Sequence, residues 1–441
     1  MFNFYSFIPL CSAIAFTLAV PVTAAENDGD TLRFEVDVLK AQIKQLQNSK
    51  HETWLNDQRS EQLKALIHEV LTDAETRSTL LQNGLSAGHN GKYFFLKSAD
   101  RNNLMKIGGQ VQIRSIWNSQ DNQADEDDFG LQMRRMKTWF AGHAITPRLT
   151  YKVVLAGNRR SGGAIFEDVI VSYELANGLK LVAGKYKLPF LREELTSSSK
   201  QLAVDRASVT EFFTLDRAEQ LGIAYTSDYF KFQGSLNDGA DSEFTTAGAD
   251  GVDIALTGRA DLKIAGNWNQ MKDFTAWSGE DFAAFVGAAV HHEEGDADNG
   301  AVLDYLGWTV DGSVETGGLG VFAALSGGTI ETPGVADRDM WGVLIQGGLN
   351  LNDTIEPFLR WEYIDPDTGS ELEALTVGLN WFFNGHNSKL TTDLVWVYDG
   401  TAPVGNPFGN TAFSDGQGFI GFATAEDNDL VVFRTQYQLL F

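Results

Sequence analysis

The chain has 441 residues, a formal net charge of −25 and a single cysteine, Cys11. A lone cysteine excludes a disulfide within the chain, and no basic, aromatic-rich pattern indicates nucleic acid as a partner. The length suits either two or three soluble domains or one large barrel.

Residues 1–25 have the composition of a secretory signal peptide. A short apolar run from Phe7 to Val20 precedes the small residues Val22 to Ala25, which suit cleavage. No Lys or Arg stands before the run, which departs from the usual pattern, and a membrane anchor is the alternative. Because the run is short and contains Pro9, the sequence favours export and removal of the segment.

Residues 26–83 predict an α-helical coiled coil. Apolar residues recur at alternating spacings of four and three, which is a heptad pattern. The positions are Leu32, Val36, Leu39, Ile43 and Leu46, and then Ile67, Leu71, Ala74 and Leu81. The interval between these stretches is polar, so we expect two short coiled segments that self-associate. The alternative is an amphipathic helix folded onto the rest of the chain. Residues 84–91 follow as a glycine-rich linker.

From residue 92 to residue 441 the apolar pattern has a period of two. Alternating segments recur near 105–117, 148–155, 167–174, 179–187, 220–226, 301–310, 341–350, 355–363, 373–383 and 389–398. One apolar and one polar face are typical of strands in a transmembrane barrel. At about 20 residues per strand with its connection, this region predicts an all-β, antiparallel transmembrane β-barrel of about 16 strands. A barrel of this size encloses an aqueous channel.

Residues 131–220 form the one basic stretch, with 14 Lys and Arg against 9 Asp and Glu. Rings of Arg and Lys in a pore select anions, because they raise the local anion concentration and replace lost hydration. The candidate pore-lining and anion-binding residues are Arg134, Arg135, Lys137, Arg148, Lys152, Lys185, Lys187, Arg206 and Arg217. Arg148 and Lys152 lie opposite an apolar face, toward the lumen, whereas the direction of segment 131–141 is ambiguous. The alternative is a set of rim charges that meet lipid headgroups or acidic loops.

The segment 192–217 lacks alternation and is rich in Ser, Thr, Lys and Arg. It follows Pro189, which cannot donate to the ladder of a central strand. We expect a long loop here, which either folds into the lumen as a constriction or stands at the surface.

Residues 221–441 carry 33 acidic side chains against 8 basic ones. Three of the carboxylates, those of Glu356, Glu362 and Asp393, fall in strand-like segments. If they line the lumen, a broader or cation-leaning channel becomes plausible. If they lie in loops, we expect them to bind divalent ions that bridge lipopolysaccharide.

The chain ends in a segment with two distinct faces. One face carries Val431, Phe433, Thr435, Tyr437, Leu439 and Phe441. A strand that closes a membrane barrel needs an apolar face toward lipid and an aromatic residue at the interface. With Tyr437, Leu439 and Phe441 in phase, this end resembles the signal by which Gram-negative outer-membrane proteins are recognised for assembly.

Signals for enzymatic chemistry are weak. The run from Gly84 through Ser86 to Gly88 matches the nucleophile-elbow pattern, but it follows a helical segment instead of standing between a strand and a helix. His291 and His292 are assigned to an acidic loop, at a spacing that matches no standard zinc site. We expect no enzymatic activity, no cofactor and no bound metal.

Five motifs carry a family resemblance. They are Arg134-Arg135, Phe140-Ala-Gly142, Glu167 to Tyr173, Val182 to Phe190, and Val204-Asp-Arg206. Together they resemble the phosphate-selective porins of the O and P type, and the coiled segment and the terminal Phe441 fit that picture. The resemblance implies a homotrimeric, 16-stranded channel that passes phosphate or polyphosphate past pore-lining Arg and Lys. By position it carries over Arg134, Arg135, Lys185, Lys187 and Arg206, whereas Arg148, Lys152 and Arg217 rest on face and charge alone.

The hypothesis is therefore an outer-membrane channel for passive diffusion of small anions, phosphate or polyphosphate first, preceded by a periplasmic coiled coil. Its expected partners are outer-membrane lipid and lipopolysaccharide, the outer-membrane assembly machinery, and further copies of the chain in a homotrimer. One alternative is a general or weakly cation-selective porin. The other is a structural protein whose coiled coil tethers the envelope.

Overall fold

The computed structural model describes residues 37–38, 40–41, 84–91, 93–120, 127–158, 162–240, 242, 252–295, 304–369, 371–399 and 430–441. Residue contacts divide the chain into two units, Met1–Gln82 and Asn83–Phe441. In the first unit the four described residues are helical. The predicted signal peptide lies outside the described residues, as does the rest of the predicted coiled coil. No helix among the described residues is long and apolar enough to span a membrane.

The second unit is built of strands. These are β1 (Leu85–His89), β2 (Phe94–Ser98), β3 (Leu104–Gln120), β4 (Asp127–Ala144), β5 (Thr146–Gly157), β6 (Ala164–Ala176), β7 (Leu179–Lys187), β8 (Arg217–Thr226), β9 (Phe230–Asn237), β10 (Val252–Ala265), β11 (Ala283–Gly295), β12 (Asp304–Thr316), β13 (Leu319–Glu331), β14 (Arg338–Leu349), β15 (Ile355–Asp365), β16 (Leu372–Asn384), β17 (Ser388–Asp399) and β18 (Leu430–Leu440).

Strands β3 to β18 form a closed antiparallel barrel of sixteen strands. Each strand pairs with the next, and β18 returns to pair with β3 from Leu430↔Gln120 to Leu440↔Gln110. Closure removes the unpaired edges that an open sheet would leave. The predicted all-β barrel and its strand number are confirmed.

A short hairpin of β1 and β2 precedes the barrel. Strand β2 pairs with the first residues of β3, and β1 pairs with β2. The segment 84–91 was expected to be a linker because of its glycines. It instead contains β1, and Gly84 and Gly91, both with positive φ, flank this strand. The glycines therefore mark the ends of a strand rather than a flexible connection.

Side chains alternate between two environments along each strand. On β12, Leu306, Trp308 and Val310 are exposed, whereas Thr309 and Asp311 are buried. This alternation is expected for a strand with one face toward lipid and one toward the barrel interior. The polar side chains therefore point inward.

The connections differ between the two ends of the barrel. At one end, which we call the short-turn end, six connections contain one to five residues. The exception is residues 266–282 between β10 and β11, which we call the turn-side segment. His291 and His292 were assigned to a loop at the other end, but β11 extends through them to Gly295.

The connection between β7 and β8, residues 188–216, folds into the barrel, and we call it the inward loop. It contains the short helices α1 (Arg192–Leu195) and α2 (Ser208–Phe213) and a 3-10 turn at Ser198–Lys200. Phe212 and Phe213 are completely buried, in one apolar cluster with residues of the barrel wall. The main apolar cluster of this unit thus includes the inward loop.

Candidate functional site

A bulge in β4 turns two neighbouring arginines toward the lumen. Across the β3–β4 ladder, Met133 pairs with Ile113 and Arg135 pairs with Gln112, so Arg134 is the inserted residue of the bulge. An inserted residue shifts the alternation of the strand by one position. Met133 is exposed on the outside, whereas Arg134 and Arg135 are buried. The apolar pattern alone could not fix this direction, because it did not reveal the bulge.

Three arginine side chains meet at the carboxylate of Asp205, and we call this group the arginine cluster. Arg134 Nε lies 2.7 Å from Asp205 Oδ2, and Arg114 Nη1 lies 2.9 Å from the same oxygen. Arg135 Nη2 lies 2.9 Å from Oδ1. Since three cations surround one anion, the arginine cluster carries a net positive charge inside the barrel.

The three arginines of the cluster change the pKa of the Asp205 carboxyl group. Burial alone would raise the pKa of Asp205, but the attraction of Arg134, Arg135 and Arg114 outweighs burial and holds the pKa well below its ordinary value. Asp205 is therefore ionised at neutral pH. The ionised carboxylate of Asp205 thus stays bound to the three arginines, which outnumber it.

The main chain beside Asp205 is fixed to the wall strands β15, β17 and β18, of which β18 pairs with β3. Val204 N donates a hydrogen bond to Asp393 Oδ2 at 2.9 Å, and Gln436 Nε2 donates to the Val204 carbonyl at 3.2 Å. Arg360 Nη1 donates to the Asp205 carbonyl at 3.1 Å. These contacts from β15, β17 and β18 hold the inward loop in the position that brings Asp205 to the arginines.

A second group of charges lies on β4, β5, β6 and β8. Lys137 Nζ is 2.5 Å from Glu167 Oε1, and Lys152 Nζ is 2.8 Å from Asp168 Oδ2. Arg217 Nε is 2.8 Å from Asp168 Oδ1, and its Nη2 is 3.4 Å from Glu167 Oε1. A bulge at Glu167 lets both adjacent carboxylates join the group. Here cations and carboxylates are nearly balanced.

Three further predicted cations are bound by main-chain carbonyls. Lys185 Nζ donates to the Phe166 carbonyl at 3.2 Å. Lys187 Nζ and Arg206 Nη2 both donate to the Glu194 carbonyl, at 2.6 Å and 3.2 Å. Lys187 and Arg206 therefore help to fix α1 of the inward loop.

Arg148 lies at the rim of the short-turn end. Its Nε and Nη2 donate to the carbonyls of Glu174 and Leu175 at 2.8 Å and 2.6 Å. Its guanidinium group lies 5.5 Å from the ring centroid of Tyr173. Arg148 is exposed and lies apart from the arginine cluster.

Two members of the cluster had no predicted role. Arg114 lies on β3, outside the basic stretch at residues 131–220, and was not among the candidate residues. Asp205 appears only within the Val204-Asp-Arg206 motif. Its acidic side chain carries no sign, in sequence alone, that it gathers arginines from two distant strands.

The three strand carboxylates singled out in the acidic second half, those of Glu356, Glu362 and Asp393, point inward and are bound there. Asp393 Oδ1 and Oδ2 accept hydrogen bonds from Arg434 at 2.7 Å and 2.8 Å. Glu362 accepts a hydrogen bond from the main-chain N–H of Ser208 in the inward loop. Glu356 accepts one from a side-chain amide of β16 at 2.9 Å.

The residues that gave weak enzymatic signals do not have the surroundings that those signals require. Ser86 is on β1, within a hairpin, and not at a strand-to-helix turn. His291 is buried inside the barrel, with Nε2 at 3.0 Å from Glu293 Oε2. His292 is half-buried on the opposite face.

The C-terminal residues close the barrel. Tyr437 and Leu439 are exposed on the outer face of β18, and Phe441 is exposed at the short-turn end. The carbonyl of Phe441 accepts a hydrogen bond from Gly109 N at 2.7 Å, and Phe441 N donates to the Gly109 carbonyl at 3.1 Å. The predicted assembly signal thus also forms part of the β18–β3 seam.

The closed sixteen-stranded barrel, with an apolar outer face and a loop folded into a charged interior, defines a porin-type β-barrel of the outer membrane. Residues 105–282 match the family model described as "Phosphate-selective porin O and P". The resemblance that the sequence motifs indicate is therefore confirmed over this part of the chain. A comparison with curated protein sequences gives no match.

Solved structures share the fold. An anion-selective porin from Comamonas acidovorans matches with a TM-score of 0.53 at 14% identity, over 76% of this chain and 99% of its own. In-vitro folded OmpT, an outer membrane protein of Vibrio cholerae in its trimer form, matches with a TM-score of 0.51 at 11% identity, over 76% of this chain and 99% of its own. At this level of identity the likeness concerns the fold.

Proposed function

We propose that this barrel is a channel for the passive diffusion of small anions across the outer membrane, with phosphate or polyphosphate as the first candidates. The arginine cluster carries the proposal, because three guanidinium groups share one carboxylate inside the barrel. Cations in a narrow lumen attract anions and replace their hydration. Guanidinium groups also suit the paired oxygens of phosphate.

The comparisons support this proposal in their printed descriptions. The matching family is described as phosphate-selective, and the Comamonas porin as anion-selective. The trimer form of OmpT supports a homotrimeric assembly for this chain as well. The remaining expected partners are outer-membrane lipid, lipopolysaccharide and the assembly machinery.

The mechanism requires no chemical step. An anion is coordinated strongly enough to enter the lumen and weakly enough to leave it. The inward loop would form the narrow region, since it carries Asp205 and lies against β15, β17 and β18. The inward carboxylates Glu356, Glu362 and Asp393 are engaged by wall or loop donors, which argues against a cation-selective channel.

The test is the zero-current potential of the purified protein in a planar bilayer across a KCl gradient, followed by titration with phosphate. We expect a chloride preference, and a chloride current that phosphate blocks. The double variant Arg134→Gln, Arg135→Gln should lose at least half of the anion preference, because two of the three cluster cations are removed.

Arg148→Gln is the matched control, since it removes an arginine from the rim of the same barrel. It should leave the zero-current potential unchanged. Heat-modifiable electrophoretic mobility establishes that each variant is folded. Cation preference in the wild type, or an equal effect of the control, would refute the proposal and leave a general porin on the same barrel.

A further inference from the structure

The turn-side segment occupies part of the lumen beside β13. Phe274, Thr275 and Ala276, near the middle of the segment, are buried. A Cβ placed on Gly320, an inward-facing residue of β13, would lie 3.7 Å from the Ala276 Cβ. The segment therefore rests directly on the inner wall of the barrel, and we call this its seated position.

Aromatic contacts hold the segment in the seated position. The ring centroid of Phe274 lies 4.9 Å from that of Phe322 on β13. The ring centroid of Trp277 lies 4.9 Å from that of Phe382 on β16. Contacts between apolar groups are non-directional, so they favour the wall without fixing the segment at particular atoms.

The polar contacts of the segment with its surroundings are weak. Asp273 Oδ2 lies 3.4 Å from Lys200 Nζ of the inward loop, and a third of the Lys200 side chain is exposed. An ion pair of this kind contributes little. The same oxygen lies 3.3 Å from His386 Nε2, but burial lowers the pKa of His386 to about 4. The ring is therefore neutral at pH 7 and gives Asp273 no full ion pair.

The seated position also leaves buried polar atoms unsatisfied. Among the described residues, neither ring nitrogen of His386 has a hydrogen-bond partner. Glu356 Oε2 accepts a hydrogen bond from Thr275 Oγ1 at 3.1 Å, whereas Glu356 Oε1 has no partner in the described part of the chain. Such groups are costly to bury, and water would reach them if the segment moved away. Favourable apolar contacts and unfavourable polar burial thus oppose each other in the seated position.

A glycine lies toward each end of the segment and can act as a hinge. Gly266 directly follows β10 and has a φ of 82°, and Gly279, in the turn before β11, has a φ of 80°. Glycine adopts such values without steric cost, and hinges are often a few residues of this kind at the ends of elements. Because β10 and β11 are paired up to Ala265 and Ala284, the ladder would stay in place while the segment moves.

We propose that the turn-side segment is a gate, which narrows the channel when it is seated on β13 and widens it when it swings toward the short-turn end. Asp273 is the positioning residue of the gate, because it joins the middle of the segment to the inward loop. The inference rests on the proposed channel, but it does not depend on which ions the channel prefers.

The test is single-channel recording of the full-length protein in a planar bilayer. The wild type should alternate between two conductance levels, the upper about twofold above the lower. In the double variant Ala276→Cys, Gly320→Cys the Cβ separation of 3.7 Å suits a disulfide, and Cys11 is the one native cysteine of the chain. Oxidation should leave only the lower level, and reduction should restore both. Gly320→Cys alone is the control and should respond to neither treatment.

A second pair of variants examines the contact between the segment and the inward loop. Asp273→Asn should spend about threefold longer in the upper level, because a weak ion pair with Lys200 is lost. Asp281→Asn removes an exposed carboxylate from the same segment and should leave the dwell times unchanged.

The other outcomes separate the gate from the channel function. One fixed conductance level in the wild type, or equal effects of Asp273→Asn and Asp281→Asn, would refute the gate. Failure of the two introduced thiols to oxidise, measured by thiol titration, would also refute it, since the segment would then not rest on β13. A wild type without any conductance would refute the proposed function together with the gate. A gated channel that prefers cations would leave the gate standing and refute the anion preference.

Discussion

At the scale of single residues, the lumen-facing carboxylates act mainly as anchors and bridges. Asp205 joins three arginines, and Asp393 binds both Arg434 and the main chain of the inward loop. The net charge of the sequence therefore does not describe the field inside the barrel. Part of the acidic excess of the second half holds the inward loop, which brings Asp205 to the three arginines.

The residue scale also shows what composition could and could not reveal. The basic stretch made Arg134 and Arg135 candidates, because clustered cations are visible in the sequence, and both side chains are buried inside the barrel. Their role in anion binding stays a prediction. The candidate anion-binding residues did not include Arg192, Lys231 and Lys272, which line one cavity inside the barrel. They come from the inward loop, β9 and the turn-side segment, which are distant in sequence. Only the closed barrel brings them to one cavity.

We expect anion conductance to depend on pH because of the carboxyl group of Glu211. It lies on α2 of the inward loop, where burial raises its pKa from 4.5 to about 7, although Arg206 opposes the shift. The carboxyl group is therefore neutral below about pH 7 and negative above it. Because the new charge interacts with Asp205 and Arg134 of the arginine cluster, anion conductance should fall about two- to threefold between pH 6 and pH 8.

Planar-bilayer conductance at a series of pH values measures this effect. Glu211→Gln should remove the step and keep the high conductance at pH 8. Glu294→Gln, which changes an exposed carboxylate of β11, should retain the step. A flat profile in the wild type, or an unchanged step in Glu211→Gln, would contradict the assignment.

At the scale of elements, the turn-side segment is the main departure from a simple barrel. Phe274, Thr275 and Ala276 are buried inside, and Thr275 Oγ1 donates to Glu356 Oε2 at 3.1 Å. Asp273 Oδ2 lies 3.4 Å from Lys200 Nζ of the inward loop. The inward loop and the turn-side segment therefore enter the lumen from opposite ends and meet.

The sequence predicted those strands whose wall residues alternate strongly between apolar and polar. It missed strands next to which other side chains and segments fill the lumen. Alternation was not evident in β9, β10, β11 and β13. On β11, a Cβ at Gly287 would collide with Arg259, and on β13 a Cβ at Gly320 would lie 3.0 Å from the Phe274 carbonyl oxygen. Small wall residues make room for the groups inside, and they weaken the apolar signal. The strand number was still correct because it rested on length per strand.

Replacing residues 266–282 by an Asn-Gly turn should widen the channel. Ala265 pairs with Ala284, so Asn, Gly and Ala283 would form a three-residue hairpin loop, which is a common length between antiparallel strands. Removing a segment that is buried in the lumen should raise single-channel conductance about twofold or more. Shortening residues 332–337, an exposed loop at the other end, should leave conductance unchanged. Equal conductance in both variants would show that the segment does not narrow the path.

At the scale of the whole molecule, stability depends on one seam that joins the two ends of the barrel sequence. Strand β18 meets β3 across eleven residue pairs, and the terminal Phe441 adds two main-chain hydrogen bonds to Gly109. The alternation of the last strand was visible in the sequence, because one of its faces is mainly apolar and aromatic. Its partner was not, since pairing of the last strand with the first follows from closure and not from any local pattern.

Gly109 and Phe441 should be energetically coupled across this seam. A Cβ at Gly109 would collide with the Phe441 ring, so Gly109→Ala should lower the free energy of unfolding by about 1–3 kcal/mol. In the double variant Gly109→Ala, Phe441→Ala the ring is absent, and the cost of Gly109→Ala should largely disappear. Urea unfolding of the detergent-folded barrel, followed by electrophoretic mobility, gives the coupling energy. Gly258→Ala, at a strand glycine with nothing within 4 Å, is the control and should cost little. If the effects of the two seam variants are additive, Phe441 does not pack on β3 and acts only in assembly. If they are coupled, Phe441 also stabilises the closed barrel.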